Sequence, residues 1–151
     1  MDKQNTLLVE MIQEGLRCNG WARFWVISNS MQPLIRKDDW VQATGVTSKD
    51  FLHFGDIILF RRYNDIVIHR VIQSGAGRVT TKGDSCLYAD VPVLREDVLA
   101  RVTNLERGSR MVNLQTRGWK IANILMAVIS RLLAHCFSNY RKLSHKLLEN
   151  V

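Results

Sequence analysis

Short β-type runs, separated by turn residues, fill the chain from Trp21 to about Asn113 and constrain the fold more than any other feature. The runs are rich in β-branched and aromatic residues, and clusters of Gly, Asn, Asp and Ser stand between them. They cover residues 22–28, 40–44, 56–63, 66–73, 78–81, 98–105 and 111–114. Runs this short and this closely spaced predict a compact, mainly β fold with mostly antiparallel strands.

Helical periodicity replaces the β pattern at both ends of the chain. Between residues 6 and 17 the apolar residues fall on one face of a helix. After Gly118 a second amphipathic pattern begins, and a short basic helix is predicted over 139–148. The sequence therefore divides into an N-terminal helix over 1–20, a β domain over 21–116, and C-terminal amphipathic and basic helices over 117–151. A length of 151 residues suits one domain with such appendages.

The chain is basic, with a net charge of +7 from 21 Lys and Arg against 14 Asp and Glu. Such a charge favours nucleic acid, an anionic membrane or an acidic partner. The three cysteines show no metal-ligand spacing and are expected to be free thiols in a reducing compartment, so no metal or cofactor is predicted. No signal peptide and no clear transmembrane helix are recognised, which predicts a cytoplasmic or peripherally membrane-associated protein.

Three segments place a reactive side chain beside a strand end. Ser30 lies in a Ser-rich turn that follows an apolar run and is closed by Pro33. His69 alternates with valines along a predicted strand, and the loop over 82–90 carries the carboxylates Asp84 and Asp90. Each of these features alone is common in turns and cores, and only their combination indicates a catalytic site.

In combination, the three segments resemble the S24/S26 serine-peptidase superfamily, in particular type I signal peptidases of the archaeal, endoplasmic-reticulum and sporulation branch. The matching boxes are Ser30-Met31-Gln32-Pro33, Asp39-Trp40-Val41, Gly55-Asp56-Ile57-Ile58, His69-Arg70-Val71, and Lys82-Gly83-Asp84 followed by Asp90. They occur in the family's order. The chain departs from the pattern at Asn29 and Asp38, where the family often has Gly, and at Ser85-Cys86, where Asn is frequent.

The resemblance implies a role for each matching residue. Ser30 would attack the scissile carbonyl, and His69 would take its proton and return it to the leaving amine. Asp90, or alternatively Asp84, would orient His69. Asp90 is preferred because the chain that leads from Asp84 to Asp90 is long enough to fold back toward His69. The hydroxyl of Ser28 and the backbone N–H of Ser30 would form the oxyanion hole. Met31 and Pro33 of the nucleophile box are predicted to bind substrate.

The implied function is a serine endopeptidase that binds an extended peptide along a sheet edge and cuts beside small side chains. Its substrate would be a leader, signal or precursor peptide, or a preprotein. The alternative is a non-catalytic peptide-binding or regulatory member of the superfamily. Nucleic acid is not expected, because the 20 residues before Trp21 hold at most one helix and so no helix-turn-helix.

The C-terminal segment is the expected membrane contact. Its helical pattern over 119–137 has an apolar face opposite a face that carries Asn123, Ser130 and Arg131. Such a helix either docks on the β domain or lies at a bilayer surface. Basic residues follow or flank it: Lys120, Arg141, Lys142 and Lys146. They favour peripheral contact with anionic lipid through residues 119–146.

Overall fold

The computed structural model describes residues 3–47, 49–63 and 65–148. Within them the chain forms two α-helices, α1 (Lys3–Asn19) and α2 (Arg117–Leu148), and eight strands. The strands are β1 (Trp21–Trp25), β2 (Trp40–Gly45), β3 (Ile57–Arg62), β4 (Asp65–Ser74), β5 (Arg78–Lys82), β6 (Val93–Leu94), β7 (Val98–Arg107) and β8 (Arg110–Asn113). A single 3₁₀ turn, Arg95–Asp97, joins β6 to β7. The mainly β fold with a helix at each end agrees with the prediction from the sequence.

The strands form one antiparallel sheet in the order β1-β2-β7-β3-β4-β5-β6, and β8 pairs with the end of β7. The long strand β7 pairs with β2 along one edge, while β3 and then β8 pair along its other edge. This arrangement places β4, which carries His69, between β3 and β5.

Strand β3 divides the core because its residues 57–60 are buried on both faces of the sheet. Ile57 and Leu59 pack in one apolar cluster with Met31 and Leu105, while Ile58 packs in a second cluster on the opposite face. Paired residues of neighbouring strands share a face of the sheet. His69, paired with Ile58, therefore belongs to the face of the second cluster.

Two details of the elements differ from the sequence prediction. The C-terminal segment is one continuous helix to Leu148, because neither Gly nor Pro interrupts the chain after Gly118; the separate basic helix over 139–148 was wrong. The two-residue strand β6 was missed, since only Val93 and Leu94 pair with β5 and two residues carry no periodicity.

Helix α2 docks through its polar side. Asn123, Ala127 and Ser130 recur at helical spacing and are 9%, 0% and 2% exposed. The helix backbone at Asn123 lies so close to Gly55 that a Cβ on this glycine would be 3.2 Å from three of its atoms. The face left exposed is apolar and consists of Ile121, Ile124, Leu125, Val128, Ile129, Leu132 and Leu133. By length and composition alone, the segment Arg117–Tyr140 is apolar enough to cross a bilayer.

Candidate active site

The Ser30 turn continues the pairing of β1 with β2 and then leaves the sheet. Val26 N donates to Asp39 O at 2.9 Å, and Asp38 N donates to Val26 O at 2.8 Å. Asn29 closes the turn, since its side-chain oxygen accepts a hydrogen bond from Lys37 N at 3.0 Å. Asp38 has a φ of 71°, a left-handed conformation that glycine adopts more readily than other residues.

The far end of this loop is fixed by Asp39, which is almost fully buried. Its carboxylate accepts hydrogen bonds from Arg107 at 2.6 and 2.8 Å and from Arg36 N at 2.8 Å. The Arg107 guanidinium lowers the pKa of Asp39, an effect that outweighs the opposing effect of burial. The loop that carries Ser30 is thus held by backbone hydrogen bonds at Val26 and by charged hydrogen bonds at Asp39.

Met31 is only 2% exposed and packs in the first apolar cluster with Ile35 and Val41. Its side chain therefore has no surface to offer a substrate, and the prediction that it binds substrate is corrected: Met31 anchors the turn instead. Pro33 is exposed.

His69 forms a hydrogen bond to Asp90 across 2.6 Å, between Nδ1 and Oδ2. The same carboxylate oxygen accepts the Thr81 hydroxyl at 2.8 Å, and its other oxygen accepts Arg62 Nη1 at 3.0 Å. An ionised carboxylate can only accept, so Nδ1 carries the proton and Nε2 of neutral His69 is left as a base. This is the orientation that a Ser/His/Asp mechanism needs.

The pKa of Asp90 is lowered. Burial alone would raise this pKa, but the hydrogen bonds from His69 and Thr81 and the charge of Arg62 outweigh it. Asp90 is therefore ionised at neutral pH. Neither Arg62 nor Thr81 was singled out from the sequence. Thr81 carries a weak signal, since it lies at an alternating position just before the Lys82-Gly83-Asp84 box.

Asp84, the alternative carboxylate, contacts Arg70 rather than His69. Arg70 donates to its two oxygens at 2.8 and 2.7 Å, and both side chains are 0% exposed. Arg70 Nη1 also donates to Gly55 O at 3.1 Å and to Asn123 Oδ1 at 2.8 Å. This residue thus connects the loop after β5 to helix α2. Asp84 has a structural position, and no pattern in the sequence indicated the contact of Arg70 with Asn123.

Gly83 lies where the Ser30 turn and the His69 ring approach each other. A Cβ at this position would lie 2.7 Å from Ser30 O and 2.9 Å from His69 Nε2. Ser85 N adds a hydrogen bond to Ser30 O at 3.0 Å, and Ser85 Oγ donates to Asn29 O at 2.9 Å. The close approach of the Ser30 turn to Nε2 therefore depends on the absence of a side chain at Gly83.

The predicted oxyanion groups lie on one turn. The hydroxyl oxygens of Ser28 and Ser30 are 3.2 Å apart. Within the described part of the chain the backbone N–H of Ser30 has no hydrogen-bond partner. A hydroxyl and a free N–H beside a nucleophile can together stabilise the negative charge of a tetrahedral intermediate.

One edge of β4 is open beside this site. Residues 65–70 pair with β3, but pairing with β5 begins only at Arg70, so within the described residues no strand pairs with the other edge of 65–69. Ile66, Val67 and Ile68 along it are half-buried. A peptide could pair with this edge and pass His69.

The structure was also searched for a ligand cavity and for a metal site away from Ser30 and His69. A cavity of about 320 Å³ lies between the segment 53–57 and the start of α2, and none of Ser30, His69 or Asp90 lines it. Among the residues that the structure describes, no group of three or more His, Cys, Asp or Glu could hold a metal ion.

In comparisons with known proteins, the chain matches no family model and no curated protein. The functional assignment accordingly depends on the residues of the site and on their geometry.

Proposed function

We propose that the chain is a serine endopeptidase of the signal-peptidase type that cleaves a leader, signal or precursor peptide. Ser30 is the nucleophile, His69 the general base and Asp90 the residue that orients His69. The observation that carries the proposal is the 2.6 Å hydrogen bond from His69 Nδ1 to Asp90, with Nε2 directed at the Gly83 position that the Ser30 turn also approaches.

In the proposed reaction, neutral His69 accepts the Ser30 hydroxyl proton at Nε2 while Oγ attacks the scissile carbonyl. The imidazolium that results is stabilised by the Asp90 carboxylate. The Ser28 hydroxyl and the Ser30 N–H bind the oxyanion, and Nε2 then returns the proton to the leaving amine. Water repeats the sequence on the acyl-enzyme and restores Ser30.

The free edge of β4 supports a peptide substrate bound as an added strand. Main-chain hydrogen bonds with residues 65–69 would supply affinity for any extended sequence. Along this edge Ile66 and Ile68 face the first cluster and Val67 faces the second, the face of His69, so an added strand would place alternate side chains on the two faces. Small residues next to the cleaved bond are what the resemblance to signal peptidases implies.

Replacing Ser30 with alanine should abolish cleavage without lowering the unfolding temperature, since among the described residues its hydroxyl forms a hydrogen bond only with that of Ser28. The measurement is mass spectrometry of a degenerate library of extended peptides incubated with each protein. Ser109→Ala, in the exposed turn between β7 and β8, is the control. Peptide binding without cleavage by the native protein would favour the alternative, a non-catalytic peptide-binding member. Equal cleavage by Ser30→Ala would exclude Ser30 as nucleophile.

We further propose that the exposed apolar face of α2 contacts a bilayer. Asn123 docks near Arg70, and Phe137 packs on Tyr88 with ring centroids 6.5 Å apart, so about 21 Å of the helix lies along the β domain. A helix held in this way lies in the membrane interface and does not cross it. Arg117 and Lys120 flank the face; Arg141, Lys142 and Lys146, whose side chains lie outside the described part, would add charge.

Removing two leucines from this face should weaken vesicle binding at least tenfold. The test is co-sedimentation of Leu125→Gln/Leu132→Gln with vesicles of anionic phospholipid at low salt, and each tenfold loss corresponds to about 1.4 kcal/mol. Met11→Gln/Met111→Gln is the matched control, since both methionines are 65% exposed on other elements. Binding should also fall at high salt. Equal binding by the two double variants would refute the assignment of this face.

A further inference from the structure

Cys86 lies beside His69, and the proposed reaction does not use it. Its Sγ is 2.6 Å from the point that a Cβ on Gly83 would occupy, and His69 Nε2 is 2.9 Å from the same point. The thiol and the basic nitrogen therefore flank one glycine. Cys86 is half-buried, so its sulfur combines partial access to solvent with contact to the catalytic centre.

A second titratable side chain, Lys82, lies near Cys86, and burial lowers its pKa. Lys82 is 0% exposed, and its Nζ donates to Gly83 O at 3.2 Å. The backbone N of Cys86 donates to the same oxygen at 3.0 Å. Lys82 and the Cys86 backbone therefore share one carbonyl oxygen, and the Cys86 thiol shares the Gly83 position with His69, whose neutral imidazole can take the thiol proton.

The polar atoms around the thiol leave it available for reaction. The His69 side chain is 6% exposed, and within the described residues its Nε2 has no hydrogen-bond partner. Cys18 differs, since its thiol donates to Glu14, and this hydrogen bond raises the pKa of Cys18. A raised pKa leaves less thiolate at neutral pH, so Cys18 is expected to react slowly although it is more exposed.

We propose that Cys86 is a thiol-modification site that takes small disulfides and thereby switches off the centre formed by Ser30 and His69. The Cys86 thiolate attacks one sulfur of the disulfide, whose S–S bond breaks. A mixed disulfide forms and the other sulfur leaves as a thiolate. The attached group occupies the space next to Nε2. A dithiol reverses the reaction by the same exchange.

The reactivity test compares two single-cysteine proteins of full length. Cys18→Ser/Cys136→Ser keeps Cys86, and Cys86→Ser/Cys136→Ser keeps Cys18. Each is treated with 5,5′-dithiobis(2-nitrobenzoic acid) at neutral pH, and the released thiolate is followed by absorbance. We expect Cys86 to react at least about tenfold faster than Cys18. A Cys86 that reacts no faster than Cys18 would overturn the proposal.

The effect of the two neighbouring side chains, His69 and Lys82, on the Cys86 thiol is tested in the protein that keeps Cys86. His69→Gln and Lys82→Met should each slow the reaction several-fold, and circular dichroism reports whether each variant is folded. If replacing the buried Lys82 unfolds the protein, the reaction rate of the His69→Gln variant alone tests the proposal. An unchanged rate in a folded His69→Gln protein would show that the imidazole does not activate the thiol, which contradicts the proposal.

The block of cleavage depends on the proposed function, whereas the labelling of Cys86 does not. Ser30→Ala should therefore be labelled at Cys86 as fast as the native protein. In the native protein, cleavage should disappear in proportion to labelling, return with dithiothreitol, and survive the reagent in Cys86→Ser. Full labelling with undiminished cleavage would refute the switch, and labelling of a protein that cleaves nothing would count against the peptidase assignment alone.

Discussion

Replacing Asp90 with asparagine should lower the rate of peptide cleavage by about 10⁴, the loss expected when the base of a Ser/His/Asp centre is held in the wrong tautomer. Arg62 Nη1 donates to Asp90 Oδ1 at 3.0 Å and would retain the amide oxygen of the new side chain. The amide NH₂ would then face His69 Nδ1, which would have to accept. The ring proton would move to Nε2, and His69 could no longer take a proton from Ser30.

A rescue experiment makes this prediction specific to the tautomer. In Asp90→Asn/Arg62→Met no donor holds the amide oxygen, so the amide can turn and accept from Nδ1–H. We expect this double variant to regain part of the lost activity, although it carries one substitution more. Arg62→Met alone is the control. The pair of results is measured as kcat/KM on the best peptide from the library, with unfolding temperatures to verify the fold.

Cleavage by Asp90→Asn within tenfold of the native rate would remove Asp90 from the mechanism. The native enzyme should not lose activity at mildly acidic pH through Asp90 itself. Its pKa is lowered, so the stabilisation from this carboxylate is present above the ordinary pKa of an aspartate and is lost only as pH falls through the lower, folded-state value.

The strands and the sequence boxes were predictable because both depend on local pattern. Alternation and turn residues identified β3, β4, β5 and β7 to within two residues at each end, and the family boxes selected Ser30 and His69. The choice of Asp90 over Asp84 was argued from loop length alone. What decides the contacts is register: Arg70 pairs with Lys82, which puts Asp84 within reach of Arg70 and leaves the returning Asp90 for His69.

Contacts between distant segments could not be predicted in this way. Asn123 was assigned to the polar face of an amphipathic helix, which ordinarily faces water. In the structure Asn123 and Ser130 of that face are buried, whereas Lys120 and Arg131 are exposed. Asn123 is buried where it supplies Arg70 with an acceptor at 2.8 Å beyond those of Asp84. The apolar face consequently points outward. A pattern of apolar and polar residues gives the two faces of a helix but not the partner of each.

The buried pair of Arg70 and Asp84 gives the largest expected effect on stability. Asp84→Asn should lower the free energy of unfolding by about 3–5 kcal/mol, because it leaves the guanidinium charge buried without a counter-charge. Both side chains are 0% exposed, so water cannot solvate the charge without local opening. For a chain of this size the unfolding temperature should fall by about 10 °C.

An ion pair with the same N–O distance but greater exposure to solvent provides the control. Arg61 and Asp97 are also 2.7 Å apart, but the Arg61 side chain is 45% exposed. Asp97→Asn should therefore cost less than about 1 kcal/mol in urea unfolding. If Asp84→Asn and Asp97→Asn lowered stability equally, burial of the first pair would not be the source of its effect. Arg70→Met/Asp84→Leu should regain part of the loss, since it removes both charges of the pair, but not all of it, since Asn123 then lacks its donor.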